Sequence, residues 1–229
     1  MFGLGFDDFL APALLTLELA SITTLLLLLV GVPIAWGLAR WHGPAREIVA
    51  AMLTLPLVLP PTVLGFYLLL LLGPNGPGGT IAGLWGARTL AFSLPGLVFG
   101  SVIYSLPFMV QPARGAFEAI GDRPLEVAAT LRAGPWDRFF TVALPLSRAG
   151  ILSGTVLAFA HTVGEFGVVL MIGGAIPGKT EVLSTRIYQL VESLDFATAH
   201  QIASGLVVFA FVALFALLSV ERRITVIER

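Results

Sequence analysis

The sequence predicts an all-α protein that crosses a membrane several times, and three observations support this prediction. The chain has 229 residues, of which 57% are hydrophobic and only 12% are charged, whereas a soluble domain carries about 25% charged residues. Five long apolar segments follow one another, and about 20 apolar residues suffice for a membrane helix. The segments are too continuous for barrel strands, and helices satisfy their backbone hydrogen bonds in lipid without a partner strand.

The predicted spans are taken in order along a single domain, 1–229. They cover about 13–38, 48–72, 91–113, 149–172 and 201–220. A possible amphipathic helix, Glu181–Ser193, lies between the last two spans. It would form a sixth, short element at the outer surface, and the sequence leaves open whether it enters the membrane.

The basic residues predict the orientation of the chain, because cytoplasmic loops carry an excess of lysine and arginine. With five spans, ten of the 13 basic residues fall on one side: Arg40, Arg46, Arg114, Arg123, Arg132, Arg138, Arg148, Arg222, Arg223 and Arg229. The other side has Arg88, Lys179 and Arg186. The N-terminus is therefore predicted outside and the C-terminus inside, with the connection 118–147, between spans three and four, in the cytoplasm.

Composition also argues against several classes of function. The chain has no cysteine, so it has neither disulfides nor thiolate metal sites. A net charge of −1 gives no reason to expect a nucleic-acid partner. The three histidines are far apart in sequence, and neither a phosphate loop nor a nucleophile–base pair is recognisable. We therefore predict no catalytic, cofactor or metal site.

The second predicted span contains three prolines, Pro56, Pro60 and Pro61, followed by Thr62. Proline lacks a backbone N–H group and interrupts helical hydrogen bonding. Backbone groups freed in this way must line a cavity or pack on protein. We interpret the segment as a broken helix on a polar pathway, with Pro60, Pro61 and Thr62 near the substrate. The alternative is a kink that serves helix packing.

Two charged residues accompany the apolar spans. Glu165 lies in the fourth span, where a carboxylate costs about 2.5–3.5 kcal/mol on insertion scales, so it is expected to face the bundle interior. It is either a gate or pathway element or a hydrogen-bonded anchor, and His161, one turn earlier, could share its proton. Arg114, at the end of the third span, either attracts anions from a pore or marks the membrane boundary.

The connection between spans three and four contains a polar segment, Pro124–Pro145, with the pattern of two short helices. We predict one over Pro124–Ala133 and another over Trp136–Val142, separated by Gly134 and Pro135. The segment also carries many apolar side chains, namely Leu125, Val127, Leu131, Trp136, Phe139 and Phe140. These side chains should pack on the membrane helices or on a partner, because a large exposed apolar patch usually marks an interaction site.

This segment resembles the cytoplasmic signature of binding-protein-dependent ABC importer permeases, which reads Glu-Ala-Ala, three residues, Gly, nine residues, Ile-x-Leu-Pro. The chain has Glu126-Val127-Ala128, three residues, Arg132, nine residues and Val142-Ala143-Leu144-Pro145. The resemblance implies that ATPase coupling involves Glu126, Val127, Ala128, Leu131, Arg132, Gly134, Leu144 and Pro145. Arg132 departs from the signature glycine, and an arginine could adopt a positive φ there only at a cost. We expect Gly134 to make the turn instead, or the segment to be shaped differently.

Further segments narrow the resemblance to molybdate importer permeases. Leu55–Gly65, Leu157–Ala160, Gly164–Gly167 and Ile176–Thr180 resemble motifs of that family. The resemblance implies a type I importer in a bacterial or archaeal inner membrane. It would contain two copies of this chain, two ATPase subunits and an oxyanion-binding protein. Tungstate and sulfate/thiosulfate permeases share the pattern and remain alternatives. An ATPase-independent secondary transporter and a membrane enzyme are disfavoured, since neither an inverted repeat nor a catalytic cluster is visible.

Overall fold

The fold is all-helical, as predicted, throughout the part of the chain that the computed structural model describes, residues 6–227. Neither end of the predicted domain 1–229 lies within the described residues. The helices are α1 (Phe6–Arg40), α2 (Pro44–Val58), α3 (Pro61–Leu72), α4 (Pro77–Gly83), α5 (Leu94–Ile120), α6 (Arg123–Thr130), α7 (Pro135–Arg138), α8 (Leu144–Leu146), α9 (Arg148–Gly164), α10 (Gly167–Gly173), α11 (Leu183–Glu192) and α12 (Phe196–Ile227).

Within residues 6–227, three helices are long and apolar enough to cross a membrane: Phe9–Arg40, Leu94–Ile120 and Phe196–Ser219. Two further spans result if bent helix pairs are each counted as one. These pairs are Pro44–Val58 with Pro61–Leu72, bent by 109°, and Pro135–Leu146 with Arg148–Gly164, bent by 73°. The described chain is thus a multi-pass membrane protein with three to five spanning elements.

The span predicted over 48–72 is broken, as the sequence predicted, whereas the span predicted over 149–172 is wrong as a continuous helix. The first consists of α2 and α3, and the second consists of α9 and α10. The other three predicted spans correspond to α1, α5 and α12. Helices α1 and α12 extend beyond the predicted bounds at both ends, whereas α5 does so only at its C-terminal end, Ile120. Helix α5 begins at Leu94, inside the predicted span, where the hydroxyl of Ser93 caps it by accepting a hydrogen bond from Gly96 N–H at 3.3 Å.

Among the described residues the core consists of three clusters, and the two larger ones both include α1 and α5. One cluster packs Leu27 and Leu38 of α1 against Met109 and Phe117 of α5. The other packs Leu19 of α1 with Leu68, Leu97, Val168, Val169 and Ile172 from α3, α5 and α10. Close helix approach depends on small residues, as expected in membranes. A Cβ atom at Gly154 of α9 would lie 2.8 Å from the Met109 carbonyl oxygen.

Two predicted short helices differ from the structure in detail. The helix predicted over Glu181–Ser193 is present as α11, and its ten residues extend only about 15 Å, too short to cross a bilayer. The helix predicted over Trp136–Val142 lies within a longer helical stretch, Pro135–Leu146. Helix α7 ends at Arg138, and a π-helical turn over Phe139–Ala143 leads into α8. We call residues 123–146 the knob.

Candidate functional site

The first part of the candidate site is the break between α2 and α3. Leu59 and Pro60 are both extended there, with ψ angles of 136° and 134°. Each precedes a proline, and proline disfavours the helical conformation of the residue before it. The tandem Pro60-Pro61 therefore ends α2 and begins α3, and the helix break that the sequence predicted is present.

A second break separates α9 from α10. Glu165 is extended, with φ −65° and ψ 129°, and Phe166 follows with φ −123° and ψ −60°. No proline causes this break. It is held by long-range contacts instead, because the hydroxyl of Ser184 in α11 donates a hydrogen bond to the Glu165 carbonyl. A contact nineteen residues away along the chain is invisible to local sequence patterns.

The two helix breaks lie against each other. A Cβ atom on Gly167 would be 2.6 Å from Cβ of Pro61, and one on Gly65 would be 2.7 Å from Cβ of Met171. Such distances are too short for any side chain, so α3 and α10 approach closely through these two glycines. The interruption of one helix is therefore packed on the interruption of the other.

A cavity of about 500 Å³ lies beside the facing breaks. It is lined by Pro61, Thr62, Tyr104, Ala160, His161, Gly164, Glu165, Phe166 and Gly167. The structure thus brings together three of the pathway residues predicted from sequence, Pro61, Thr62 and Glu165, and Pro60 is adjacent to them. We call this cavity the pathway pocket. Neither lysine nor arginine lines it.

Glu165 is the most unusual group of the pathway pocket. It is 3% exposed, and no hydrogen bond of ordinary geometry reaches either carboxyl oxygen from the described residues. The hydroxyl of Ser101, itself fully buried, interacts with this carboxyl. No hydrogen bond joins His161 to the Glu165 carboxyl among the described residues. Nδ1 of His161 is hydrogen-bonded to the Ser105 hydroxyl at 2.9 Å, and the His161 ring stacks on Phe108 with centroids 4.0 Å apart.

Arg114 lies outside the pathway pocket. Its Nε donates to Glu118 Oε1 at 2.8 Å, and Arg46 pairs with the same carboxylate. A separate polar cavity of about 460 Å³ contains these groups together with Arg40 and Asp122, which also pair with each other. The charge of Arg114 is thus offset locally, and this favours the interpretation that the residue marks the membrane boundary.

The knob shows how the chain turns without the signature glycine. Helix α6 ends in two C-terminal hydrogen bonds, from Arg132 N–H to Ala129 O at 3.0 Å and from Ala133 N–H to Ala128 O at 3.1 Å. This pattern needs a left-handed residue just after the helix. Arg132 takes that conformation with φ 65°, whereas Gly134 has φ −68°. The expectation that Gly134 makes the turn is therefore wrong.

The apolar side chains of the knob divide into two groups. Leu125 and Phe139 are 5% and 9% exposed. The ring of Phe139 packs on Trp36 of α1, with centroids 5.5 Å apart, and on Phe117 of α5, 6.2 Å apart. The second group is exposed by 57–79% and consists of Val127, Leu131, Trp136 and Phe140. We call these four residues the apolar patch.

The remaining residues predicted for coupling lie around the apolar patch. Glu126 is exposed in the first turn of α6, and Ala128 is half-buried behind it. Leu144 is half-buried and Pro145 is exposed in α8. Sequence reasoning did not identify Tyr104 or Phe166 as pocket residues. Both are aromatic residues in apolar segments, and only the tertiary fold distinguishes them from core residues.

The long apolar helices, together with two helix breaks that face each other beside a cavity, are typical of a membrane transport component and not of a soluble protein. Residues 28–226 match the family described as the binding-protein-dependent transport system inner membrane component. The match covers most of the chain, and the protein belongs to this family.

Known relatives agree with this assignment. The chain is 60% identical over 213 residues to the molybdenum transport system permease protein ModB of Azotobacter vinelandii, covering 93% of this chain and 94% of that one. It is 33% identical over 220 residues to the sulfate transport system permease protein CysW of Synechocystis, covering 96% and 79%. A solved bacterial ABC transporter involved in the import of alginate has a similar fold, with a TM-score of 0.75 at 20% identity, covering 97% and 85%.

Proposed function

We propose that this chain is the membrane permease subunit of an ATP-driven importer and that it forms the pathway for molybdate delivered by a binding protein. The 60% identity to a molybdenum transport permease over nearly the whole of both chains carries this proposal. The two helix breaks beside the pathway pocket also support it, because discontinuous membrane helices typically form transport sites.

The pathway pocket has the chemistry that a transient oxyanion site requires. Thr62 and Tyr104 contribute hydroxyl groups and His161 contributes a ring nitrogen. At the N-terminus of α3 only Thr62 N–H is left to face an anion, because Pro61 has no N–H group and Val63 N–H bonds to Pro60 O at 2.9 Å. With no lysine or arginine in the lining, the anion is held by hydrogen bonds and not by full charges. Binding that is weak enough to release the ion is a condition for conduction.

In the proposed orientation the N-terminus faces outward, the C-terminus faces the cytoplasm and the whole chain forms one transmembrane domain. The distribution of basic residues supports this orientation. The knob then lies in the cytoplasm of a bacterial or archaeal cell. A second copy of the chain completes the pathway, and the binding protein delivers its ion at the outer face.

ATP hydrolysis takes place in a separate ATPase subunit that docks on the apolar patch. Exposed Leu131 and Trp136 provide large anchors for such a partner, and large buried anchors dominate binding energy in protein interfaces. Phe139 joins the knob to α1 and α5 through its ring contacts. A movement of the knob is thereby transmitted to the helices around the pathway pocket.

Reconstitution of the permease with its ATPase tests the proposal. Molybdate-loaded binding protein should stimulate ATP hydrolysis, and the same protein without its ion should not. The second candidate function is a sulfate permease, which the 33% identity to a sulfate transport system permease supports. Stimulation by sulfate-loaded and not by molybdate-loaded binding protein would favour it. Uptake that continues unchanged without any ATPase would contradict an ATP-driven importer.

Two variants test the pathway pocket in the same system. Thr62→Val removes a pocket hydroxyl, and Thr80→Val is its matched control, because Thr80 is exposed on α4 outside the pocket. We expect the first to lower coupled uptake about tenfold, as the loss of one hydrogen bond to an ion permits, and the second to leave it unchanged. Equal uptake by the two variants would remove Thr62 from the pathway.

A further inference from the structure

A third cavity, of about 260 Å³, lies between the end of α1 and the knob. It is lined by Trp36, Arg40, Leu125, Pro135 and Arg138. Its charged lining consists of two guanidinium groups, and no carboxylate contributes to it. A volume several times the roughly 30 Å³ share of one water molecule leaves room for a polyatomic ion.

The two arginines differ in how well they are paired. Nε of Arg138 is buried, and no hydrogen bond reaches it from the described residues. Arg40 pairs with the largely exposed Asp122 outside the cavity, and its guanidinium lies 5.6 Å from the ring centroid of Trp36. Two like charges facing one cavity repel each other, and an anion in the cavity would relieve this repulsion.

The cavity lies at the end of the membrane-spanning part of α1, at the level of the lipid headgroups. Arg40 ends the apolar stretch Phe9–Arg40, so it lies where the membrane-spanning part of α1 stops. The neighbouring Trp41 is 42% exposed, and tryptophan is enriched at the level of the lipid headgroups. Basic pockets between helices on the cytoplasmic side are suited to phosphate headgroups.

We propose that Arg40 and Arg138 form a binding site for a phosphate-type oxyanion, supplied by an anionic lipid headgroup or by free phosphate. The assignment to the cytoplasmic leaflet rests on the orientation under the proposed function, but the site itself does not. Because Arg40 belongs to α1 and Arg138 to the knob, a bound anion joins the two elements. The knob is held against the membrane helices more firmly when the site is occupied.

Anion retention by the purified permease–ATPase complex tests this site. Native mass spectrometry compares the wild type with Arg138→Gln after extraction from bilayers of phosphatidylcholine mixed with phosphatidylglycerol. The matched control is Arg123→Gln, since Arg123 is exposed on the same knob and does not line the cavity. We expect Arg138→Gln to retain about tenfold less phosphatidylglycerol, as the loss of a charge-assisted bond allows, and Arg123→Gln to match the wild type.

A second measurement separates the two sources of the anion. The delipidated complex is melted with and without inorganic phosphate, which should raise the melting temperature of the wild type but not of Arg138→Gln if free phosphate binds. Lipid retention without this shift assigns the site to a headgroup. If Arg138→Gln folds poorly, Arg138→Lys is used, and partial retention is expected.

The proposal is overturned if wild type and Arg138→Gln retain the same amount of phosphatidylglycerol and respond alike to phosphate. It is also overturned if Arg138→Gln and Arg123→Gln lose lipid equally, or if Arg138→Gln loses the ATPase subunit and not the lipid. The last result would mean that a carboxylate of the partner fills the cavity. Retention does not depend on transport, so a failed uptake assay leaves this test intact.

Discussion

The pathway pocket and the knob are both built from interrupted helices, yet they differ in what surrounds the interruptions. At the pathway pocket, two breaks pack on each other within one chain through Gly65 and Gly167. At the knob, the breaks leave an apolar patch exposed, with Leu131 79% and Trp136 76% accessible. The two breaks at the pocket thus support each other within one chain, whereas the knob leaves large apolar side chains accessible, where we propose that a partner docks.

The largest expected effects come from two aromatic residues three positions apart in the knob. Phe139→Ala should lower the free energy of unfolding by about 3–5 kcal/mol, because Phe139 fills the space between Trp36 and Phe117. Trp136→Ala should leave the stability of the permease within about 0.5 kcal/mol. It should weaken ATPase binding by at least about 2 kcal/mol, roughly 30-fold. Unfolding in detergent and titration with the ATPase measure the two quantities.

Equal effects of Phe139→Ala and Trp136→Ala on stability and on ATPase binding would contradict the division of the knob into a buried and an exposed group. Destabilisation by Trp136→Ala would mean that the apolar patch packs on this chain. Unchanged ATPase binding after Trp136→Ala would mean that the partner docks elsewhere.

At the pathway pocket, the sharpest test uses two glycines on either side of the second break. Gly167→Ala places a methyl group against the rigid ring of Pro61, and overpacking of this kind costs about 1–3 kcal/mol. Gly164→Ala is the control, because its Cβ would meet nothing within 4 Å. Thermal melting should show a lower transition for the first variant alone. Equal melting temperatures would show that the two breaks can separate without cost.

The sequence predicts one of these two breaks and not the other. Pro60-Pro61 interrupts a helix by local chemistry, so the first break could be predicted from the residues themselves. The second break, at Glu165, depends on Ser184, which lies nineteen residues away. Hydropathy therefore predicted a continuous span there. The meeting of the two breaks is a tertiary contact that no local pattern encodes.

The turn of the knob illustrates a different limit. The spacing of the signature placed a left-handed residue at position 132, and the arginine there suggested that the turn moves to Gly134. The structure retains the turn at Arg132, because the hydrogen bonds at the end of α6 fix which residue is left-handed. A single residue preference is worth about 1–2 kcal/mol, and several backbone hydrogen bonds together outweigh it.

A smaller change in stability is expected at the turn of the knob. Arg132→Gly should raise the free energy of unfolding of the knob by about 1 kcal/mol, because glycine adopts positive φ without steric cost. Gly134→Ala is the matched change at a residue with ordinary φ and open space around it, and it should be neutral or slightly stabilising. Hydrogen exchange of the knob amides measures both. A loss of stability in Arg132→Gly would mean that the arginine side chain supports the knob more than its backbone strain weakens it.

The smallest expected effect concerns the ion pairs that Glu118 of α5 makes with Arg46 of α2 and with Arg114 of α5. Arg46→Gln removes the pairing of Arg46 with Glu118 and Glu47 and its Nε hydrogen bond to Leu38 O, but leaves the bond from Arg114 to Glu118. Both arginine side chains are more than 20% exposed, so the change should cost only about 0.2–1 kcal/mol and should shrink as salt is added. Arg88→Gln, at an exposed residue on the other side of the predicted membrane, provides the control. If the free energy of unfolding fell by several kcal/mol regardless of salt, these ion pairs would stabilise the chain as strongly as the buried contacts of Phe139. These pairs of α2 and α5 would then resemble the facing helix breaks, whose contacts lie within one chain, whereas the apolar patch of the knob is exposed.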